Sequence, residues 1–248
     1  MNAPSDTIEF RSGVVKPVEC LKASLELVRS QYWLFVGIAA VGILIASFVP
    51  LGILMGPMMC GIYLALFKQR RGQPVEFSDL FKGFDYFGES FIAALLHMVP
   101  AFLVIIPTYI MFYISLFAMI GASGGQPDPG LVLSFFGFWG IIFIVVIVVM
   151  TLISVVFTFA YPLIVERRLS GVDAVKLSLK AAKANFGGLL GLILLNGLLG
   201  FAGVLVCYVG ALLVLPVSFG AIVVAYEQVF GLSGEAPPNL PPPPPSFM

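Results

Sequence analysis

The sequence predicts an all-α membrane protein, a polytopic bundle of six transmembrane helices with interfacial amphipathic helices and a parallel internal repeat. Three observations predict it. The 248-residue chain is 60% hydrophobic and 10% charged, with a mean hydropathy of +1.06, whereas soluble domains carry about 25% charged residues. Apolar stretches recur that exceed the roughly 18 residues needed to cross a hydrocarbon core about 30 Å thick. The thirteen Lys and Arg fall into three clusters, 11–29, 68–82 and 167–183. The positive-inside rule puts all three in the cytoplasm, so each apolar region between or beyond them crosses an even number of times.

Residues 1–13 read as a polar N-terminal segment. The opening "MNAPSDTIEF" lacks the basic n-region and short apolar h-region of a cleavable signal peptide, so the first span is expected to serve as its own targeting signal. The membrane domain runs over 14–232. It begins with an amphipathic helix whose stripe, Val18, Leu21, Leu25, Val28 and Tyr32, lies on one helical face. "YWLFVGIAAVGILIASFVPLGILMGPMMCGIYLALF" is too long for one crossing and is broken by Pro50 and Gly52, giving two short spans at about 32–48 and 53–69.

Next comes "FSDLFKGFDYFGESF" (77–91), a surface segment with a mostly aromatic stripe of Phe77, Leu80, Phe81, Phe84 and Phe87, which meets either the headgroup boundary or the rest of the bundle as a plain packing face, while Asp79, Lys82 and Asp85 are expected to face water. The apolar region from Phe91 to Ile164 divides at "GASGGQPDPG", a loop without Lys or Arg, as suits the external side. Two more spans occupy 187–230, turning near 207–210. Both termini then lie in the cytoplasm.

Between the fourth and fifth spans, "ERRLSGVDAVKLSLKAAKANFGG" is a second basic amphipathic helix, and it copies the first. Val18/Val172, Lys22/Lys176, Ser24/Ser178, Leu25/Leu179 and Gly37/Gly191 are identical, and the later stripe is Val172, Val175, Leu179, Ala182 and Phe186. Likeness resumes between 56–72 and 215–231 through Pro57/Pro216, Gly61/Gly220, Gln69/Gln228 and Gly72/Gly231. The repeat units are about 15–72 and 169–231. Each is expected to be an interfacial helix followed by a membrane hairpin, with its stripe in the bilayer and its basic stems snorkelling to the headgroups; the simpler reading, compatible with this one, is an elbow that sets the angle of the next span. Lys22, Arg29, Arg167, Arg168, Lys176, Lys180 and Lys183 are the candidate headgroup contacts, at about 1 kcal/mol per basic residue near an anionic surface. Glycines three or four apart (Gly52 and Gly56; Gly187 and Gly191; Gly197, Gly200 and Gly203) are expected where helices approach closely. The tail, 233–248, holds five consecutive prolines at 241–245. It favours polyproline II and is either a stiff spacer or a ligand for an aromatic groove of a protein partner.

Little of the sequence carries chemistry. Cys20, Cys60 and Cys207 form no ligand spacing and read as small buried hydrophobes. There is one histidine, His97, and no phosphate loop, GxSxG elbow or HExxH. No cofactor, metal, catalytic residue or nucleic-acid partner is expected, and the chain is not expected to be an enzyme. His97 and Asn196 are the candidate intramembrane polar site, against the simpler readings of a histidine satisfied beside a proline kink and an asparagine bonding between helices. Glu227 is expected to form an ion pair at the cytoplasmic end of the last span.

"SDLFKGFDYF", "FAYPLIVERRLSGVDAVKLSLKAAKANFGGLLGLILL" and "LPVSFGAIVVAYEQVFG" in that order resemble a group of uncharacterised bacterial six-span membrane proteins. They are also similar to the membrane domain attached to some glycerophosphodiester phosphodiesterases, the likeness covering about 14–231. The resemblance implies the bacterial inner membrane and no established reaction. The attached phosphodiesterase domain has no counterpart here. Function is therefore expected to be that of a membrane scaffold or lipid-contacting organiser whose partners are membrane lipids and, through the tail, a protein. The alternative is a transporter or lipid-handling protein for a hydrophobic or amphiphilic compound, with a cavity near His97 and Asn196.

Overall fold

The computed structural model describes residues 8–48, 52–122, 128–206 and 209–233. The proline-rich tail, Cys207 and the centre of the "GASGGQPDPG" loop lie outside them. Among the described residues every regular element is helical: α1 (Pro17–Arg29), α2 (Tyr32–Phe48), α3 (Met55–Arg70), a 3-10 segment (Phe77–Tyr86), α4 (Phe87–Ala122), α5 (Pro129–Phe157), α6 (Ala160–Arg167), α7 (Gly171–Ala184), α8 (Phe186–Leu205) and α9 (Val209–Phe230). Local chemistry sets the ends. Pro17 starts α1, where its fixed φ fits and its missing N–H costs nothing. Asp128 caps α5 by accepting from the Gly130 and Leu131 amides, and Ser170 caps α7 by accepting from the Asp173 amide at 3.1 Å.

Among the described residues four helical units are long and apolar enough to cross a bilayer: Phe77–Gly121, Pro129–Arg167, Phe186–Leu205 and Val209–Phe230. The chain is accordingly a multi-pass membrane protein. α1 and α2 together make a fifth if counted as one, but they bend by 105° at their junction. At 17 and 16 residues, α2 and α3 are each shorter than the about 20 residues a perpendicular crossing takes. The apolar window of Phe77–Gly121 contains no buried residue. Because Ala93 and Ala94 are buried, that window lies beyond Ala94, and the 3-10 segment is outside it.

Burial concentrates at the charged end of the helices. Tyr63, Phe67, Phe159 and Tyr226 are fully buried and meet edge to face, Phe67 with Tyr226 at 5.3 Å and Phe159 with Phe230 at 5.5 Å, the arrangement aromatic quadrupoles favour. This aromatic centre joins α3, α6 and α9. Around it, α1 packs along α9, the 3-10 segment on α3, and α7 on α4, α5 and α6. Away from it α4 and α5 face outward, with Leu103 72%, Phe117 68% and Leu133 76% exposed. They hold each other through Phe112 against Trp139 (5.1 Å) and the Trp139 indole N–H donating to Ser115 Oγ at 2.9 Å.

Two expectations need correction. Asp79 does not face water: it is fully buried and clamped between the Lys68 and Lys82 ammonium groups at 2.7 and 2.6 Å, while the rings of Phe77, Phe81 and Phe84 are the exposed side. Lys68 on α3 reaches the segment, and the carboxylate also closes a capping box with Glu76, so its charge is neutralised inside. Among the glycines, Gly56, Gly191 and Gly203 do meet neighbours. Gly187, Gly197 and Gly200 face open space. The tightest approaches involve Gly61 and Gly83, where α3 and the 3-10 segment touch backbone to backbone.

Candidate functional site

Three helix C-termini converge at the charged end, and each pair is latched. Arg70 of α3 makes a bidentate pair with Glu227 of α9 at 2.7 and 2.9 Å, the geometry in which guanidinium–carboxylate pairs are strongest. Arg71 pairs with Glu166 of α6. Glu166 also accepts from the Ser233 amide and hydroxyl at 2.8 and 2.7 Å, so three donors satisfy a carboxylate that is 2% exposed. Arg167 donates to the carbonyls of Phe230 and Gly231 at 3.0 and 3.3 Å, neutralising the exposed carbonyl end of α9. Each closing helix is followed by a left-handed residue: Gly72 (φ 67°), Arg168 (φ 51°) and Gly231 (φ 67°).

The amphipathic helices attach to this collar through small or polar side chains. On α1 the buried residues are Cys20, Ser24, Leu27 and Val28, and the matching positions of α7, Ala174, Ser178, Ala181 and Ala182, are buried as well. Ser24 donates to the Val217 carbonyl and Ser178 to the Val156 carbonyl, both at 2.6 Å. Ser178 Oγ also accepts from the Phe159 amide at 3.1 Å, where the α5–α6 break frees a backbone donor. Gln69 and Gln228 clamp opposite ends of α1, Gln69 donating to the Leu27 carbonyl at 3.2 Å and Gln228 accepting from the Lys16 amide at 3.2 Å. Burial pushes the Cys20 thiol up to about 11, leaving it inert. The outer faces differ: Val18 and Val172 are 57% and 41% exposed, Leu25 53% and Phe186 45%. Lys22, Arg29, Arg168, Lys176, Lys180 and Lys183 are exposed too.

Of the candidate headgroup contacts, Arg167 differs from expectation. It is only partly exposed and its guanidinium caps α9 instead of facing outward. Glu227 has Arg70 as its partner. His97 stacks on Phe157 of α5 at 4.6 Å with its Nδ1 unpartnered, while Asn196 donates to the Ser218 carbonyl of α9 at 3.4 Å with its Oδ1 unpartnered. The two serve different helix pairs, His97 meeting α5 from α4 and Asn196 meeting α9 from α8. Groups of three or more His, Cys, Asp or Glu placed to hold a metal are absent from the described residues.

Sequence reasoning missed Glu166, Ser233 and Asn185. Glu166 had a signal, a lone acid beside two arginines at the end of an apolar run. Asn185 is 3% exposed and accepts from the Val14 amide at 3.1 Å while donating to the Arg11 carbonyl at 2.8 Å, fastening the N-terminal segment. A cleft of about 350 Å³ opens beside the collar, lined by Asp85, Tyr86, Gly88, Glu89, Ile164, Arg168 and Leu169. Comparison with known protein families, with curated proteins and with solved structures finds no match.

Proposed function

We propose that the protein is a non-enzymatic organiser of the bacterial inner membrane, a six-span scaffold with both termini in the cytoplasm that contacts lipid headgroups through its interfacial helices. The observation that carries this reading is the shared two-sided pattern of α1 and α7. Cys20, Ser24, Leu27 and Val28 of α1 and the matching Ala174, Ser178, Ala181 and Ala182 of α7 face the protein, so Val28 and Ala182 of the expected stripe are turned inward, while Val18, Leu25 and Val172 with Lys22, Lys176, Lys180 and Lys183 are exposed on the other side. A helix bent 105° from an adjoining span runs close to the membrane plane, where an outward apolar stripe meets acyl chains and basic side chains meet phosphates. The same pattern supports the internal repeat, and the likeness to phosphodiesterase-linked membrane domains belongs to the same proposal. The alternative, a carrier built around His97 and Asn196, is less well supported because these residues engage separate helices.

The test is lipid analysis of the full chain extracted with its native membrane in polymer nanodiscs. Reversing Lys176, Lys180 and Lys183 to Glu is expected to abolish enrichment of anionic lipid, with His97→Ala and Asn196→Leu leaving it unchanged. The opposite pattern, a bound amphiphile lost with His97 and Asn196 and no effect of the lysines, overturns the organiser in favour of the carrier.

A further inference from the structure

The cleft beside the collar lies where the 3-10 segment enters α4 and α6 ends. Its polar lining is of both signs: Asp85 and Glu89, from the 3-10 segment and the start of α4, and Arg168 from the end of α6, together with Tyr86. One Glu89 oxygen accepts from the Gly171 amide at 2.6 Å, which fixes that carboxylate at the start of α7. Asp85 and Arg168 make neither a hydrogen bond nor an ion pair among the described residues, although both are close enough to act electrostatically on Tyr86.

Arg168 stands out by its backbone. The equivalent left-handed position after the other two closing helices is glycine, Gly72 and Gly231, which adopts it freely. Here a residue with a Cβ is held at φ 51°, a conformation that persists where the surroundings impose it and that marks candidate functional positions. The consequence is a guanidinium in the cleft wall. The stretch of chain that supplies Asp85, Tyr86, Gly88 and Glu89 also carries a row of rings, Phe84 stacking on Phe87 at 6.4 Å and Phe87 on Phe91 at 6.0 Å. Exposed Ile92 and Leu95 follow, where the lipid-facing window of α4 begins. A cleft with lining charges of opposite sign, in a stretch of chain that also exposes Phe84, Phe87, Ile92 and Leu95, matches an amphiphile with an internally zwitterionic head.

We propose that this cleft is a binding site for the headgroup of a phosphoethanolamine-type phospholipid, with Arg168 on the phosphate, Asp85 and the outer oxygen of Glu89 on the ammonium, and the Phe84–Phe87–Phe91 ladder along the first acyl carbons. This rests on the membrane-organiser reading and adds to it a single stoichiometric site. A primary ammonium donates up to three charged hydrogen bonds to carboxylates; a choline head has no N–H to donate, and a glycerol head offers two hydroxyls without charge. The cleft volume is at the lower end of small-ligand sites, about 300–1,000 Å³, as a headgroup with its tails outside requires.

Native mass spectrometry of the full chain, offered equal amounts of phosphatidylethanolamine, phosphatidylglycerol and phosphatidylcholine, tests it. Wild type is expected to retain one phosphatidylethanolamine about tenfold over the others. Arg168→Gly is expected to lose that lipid about tenfold while melting no lower than wild type, since glycine suits the left-handed backbone. Asp85→Asn is expected to keep one phospholipid but lose the preference among heads. Soluble phosphoethanolamine should displace the lipid better than inorganic phosphate. Undiminished retention by a folded Arg168→Gly, a preference for phosphatidylglycerol, or displacement equally by inorganic phosphate overturns the proposal. Failure of the organiser reading would appear instead as an unchanged anionic lipid shell in the lysine variants, a separate readout from the single bound lipid.

Discussion

Gly61→Ala probes the contact that seats the 3-10 segment on α3. A Cβ at Gly61 would stand 2.7 Å from the carbonyl carbon and 2.9 Å from the Cα of Leu80, with the carbonyl oxygen closer still, whereas real Cβ contacts stay beyond 3.0 Å. These are backbone atoms and cannot rotate away. The segment cannot slide either, because Gly83 lies equally tight on Pro57 and Gly61, and Leu80 fills the space beside Gly42. Overpacking of this kind costs about 1–3 kcal/mol, and the backbone clash puts Gly61→Ala at the upper end. About 3 kcal/mol is on the order of a hundredfold in the folded-to-unfolded ratio. Intrinsic helix propensity works in the opposite direction by only about 1 kcal/mol. Gly140→Ala on α5, which has nothing within 4 Å, is the control and should be neutral or slightly stabilising. Thermal melts of the purified protein in one detergent, followed by Trp33 and Trp139 fluorescence, compare the two. Equal melting of Gly61→Ala and Gly140→Ala would refute the claim that backbone contact between α3 and the 3-10 segment organises this end.

Four further outcomes follow from the same geometry. Ser24→Ala removes one buried hydrogen bond and should cost about 1 kcal/mol, whereas Ser178→Ala also strands the Phe159 amide and should cost about 2–3 kcal/mol; chemical denaturation in micelles ranks them. Glu166→Ala leaves the Arg71 guanidinium without its carboxylate, holding only the Ser233 hydroxyl, strands the Ser233 amide and is expected to cost about 3 kcal/mol, while Arg70→Ala breaks a partly exposed pair worth at most about 1 kcal/mol; equal melting shifts would contradict this. The Asp79 carboxyl is pushed up by burial but pulled down more strongly by the Glu76 amide and the Lys68 and Lys82 ammonium groups, so its net position is below the ordinary range. Its folded pKa is depressed, so its stabilisation is complete above the unfolded value of about 3.9 and is lost as pH falls through the folded value; Asp79→Asn should flatten that acid limb of the melting curve. A lone cysteine at Ser47, in a background without the native thiols, should react with an impermeant reagent from outside the cell if α2 and α3 cross the membrane, and protection there would reduce the span count.

How far the sequence reaches is clear from particular residues. The helical class and the long spans were legible because lipid demands uninterrupted apolar length and internally paired backbone. The first span expected from about 32 matches α2, which starts at Tyr32, but the stripes read as single faces through Tyr32 and Phe186 run past the ends of α1 at Arg29 and α7 at Ala184. Contact faces were not legible. In a soluble helix the apolar stripe marks the interior, but here the expected stripe is divided: Val18, Leu25, Val172 and Phe186 are exposed, while Val28 and Ala182 are buried. The true contact face is made of small residues such as Ala174, Ser178 and Ala181, which allow close approach and have little hydropathy contrast.

Charge placement shows the same division. Composition and the spacing of thirteen basic residues determined by themselves that this chain lies in a membrane with its charge gathered between apolar regions. They also placed Glu227 near several arginines. Only the tertiary structure decided that Arg70 takes Glu227, that Arg71 takes Glu166, that Arg167 caps a helix and that Asp79 is buried between two lysines. An ion pair is chosen by distance and desolvation, which decay over a few ångströms, and those distances are set by helices that meet across up to 157 positions of sequence.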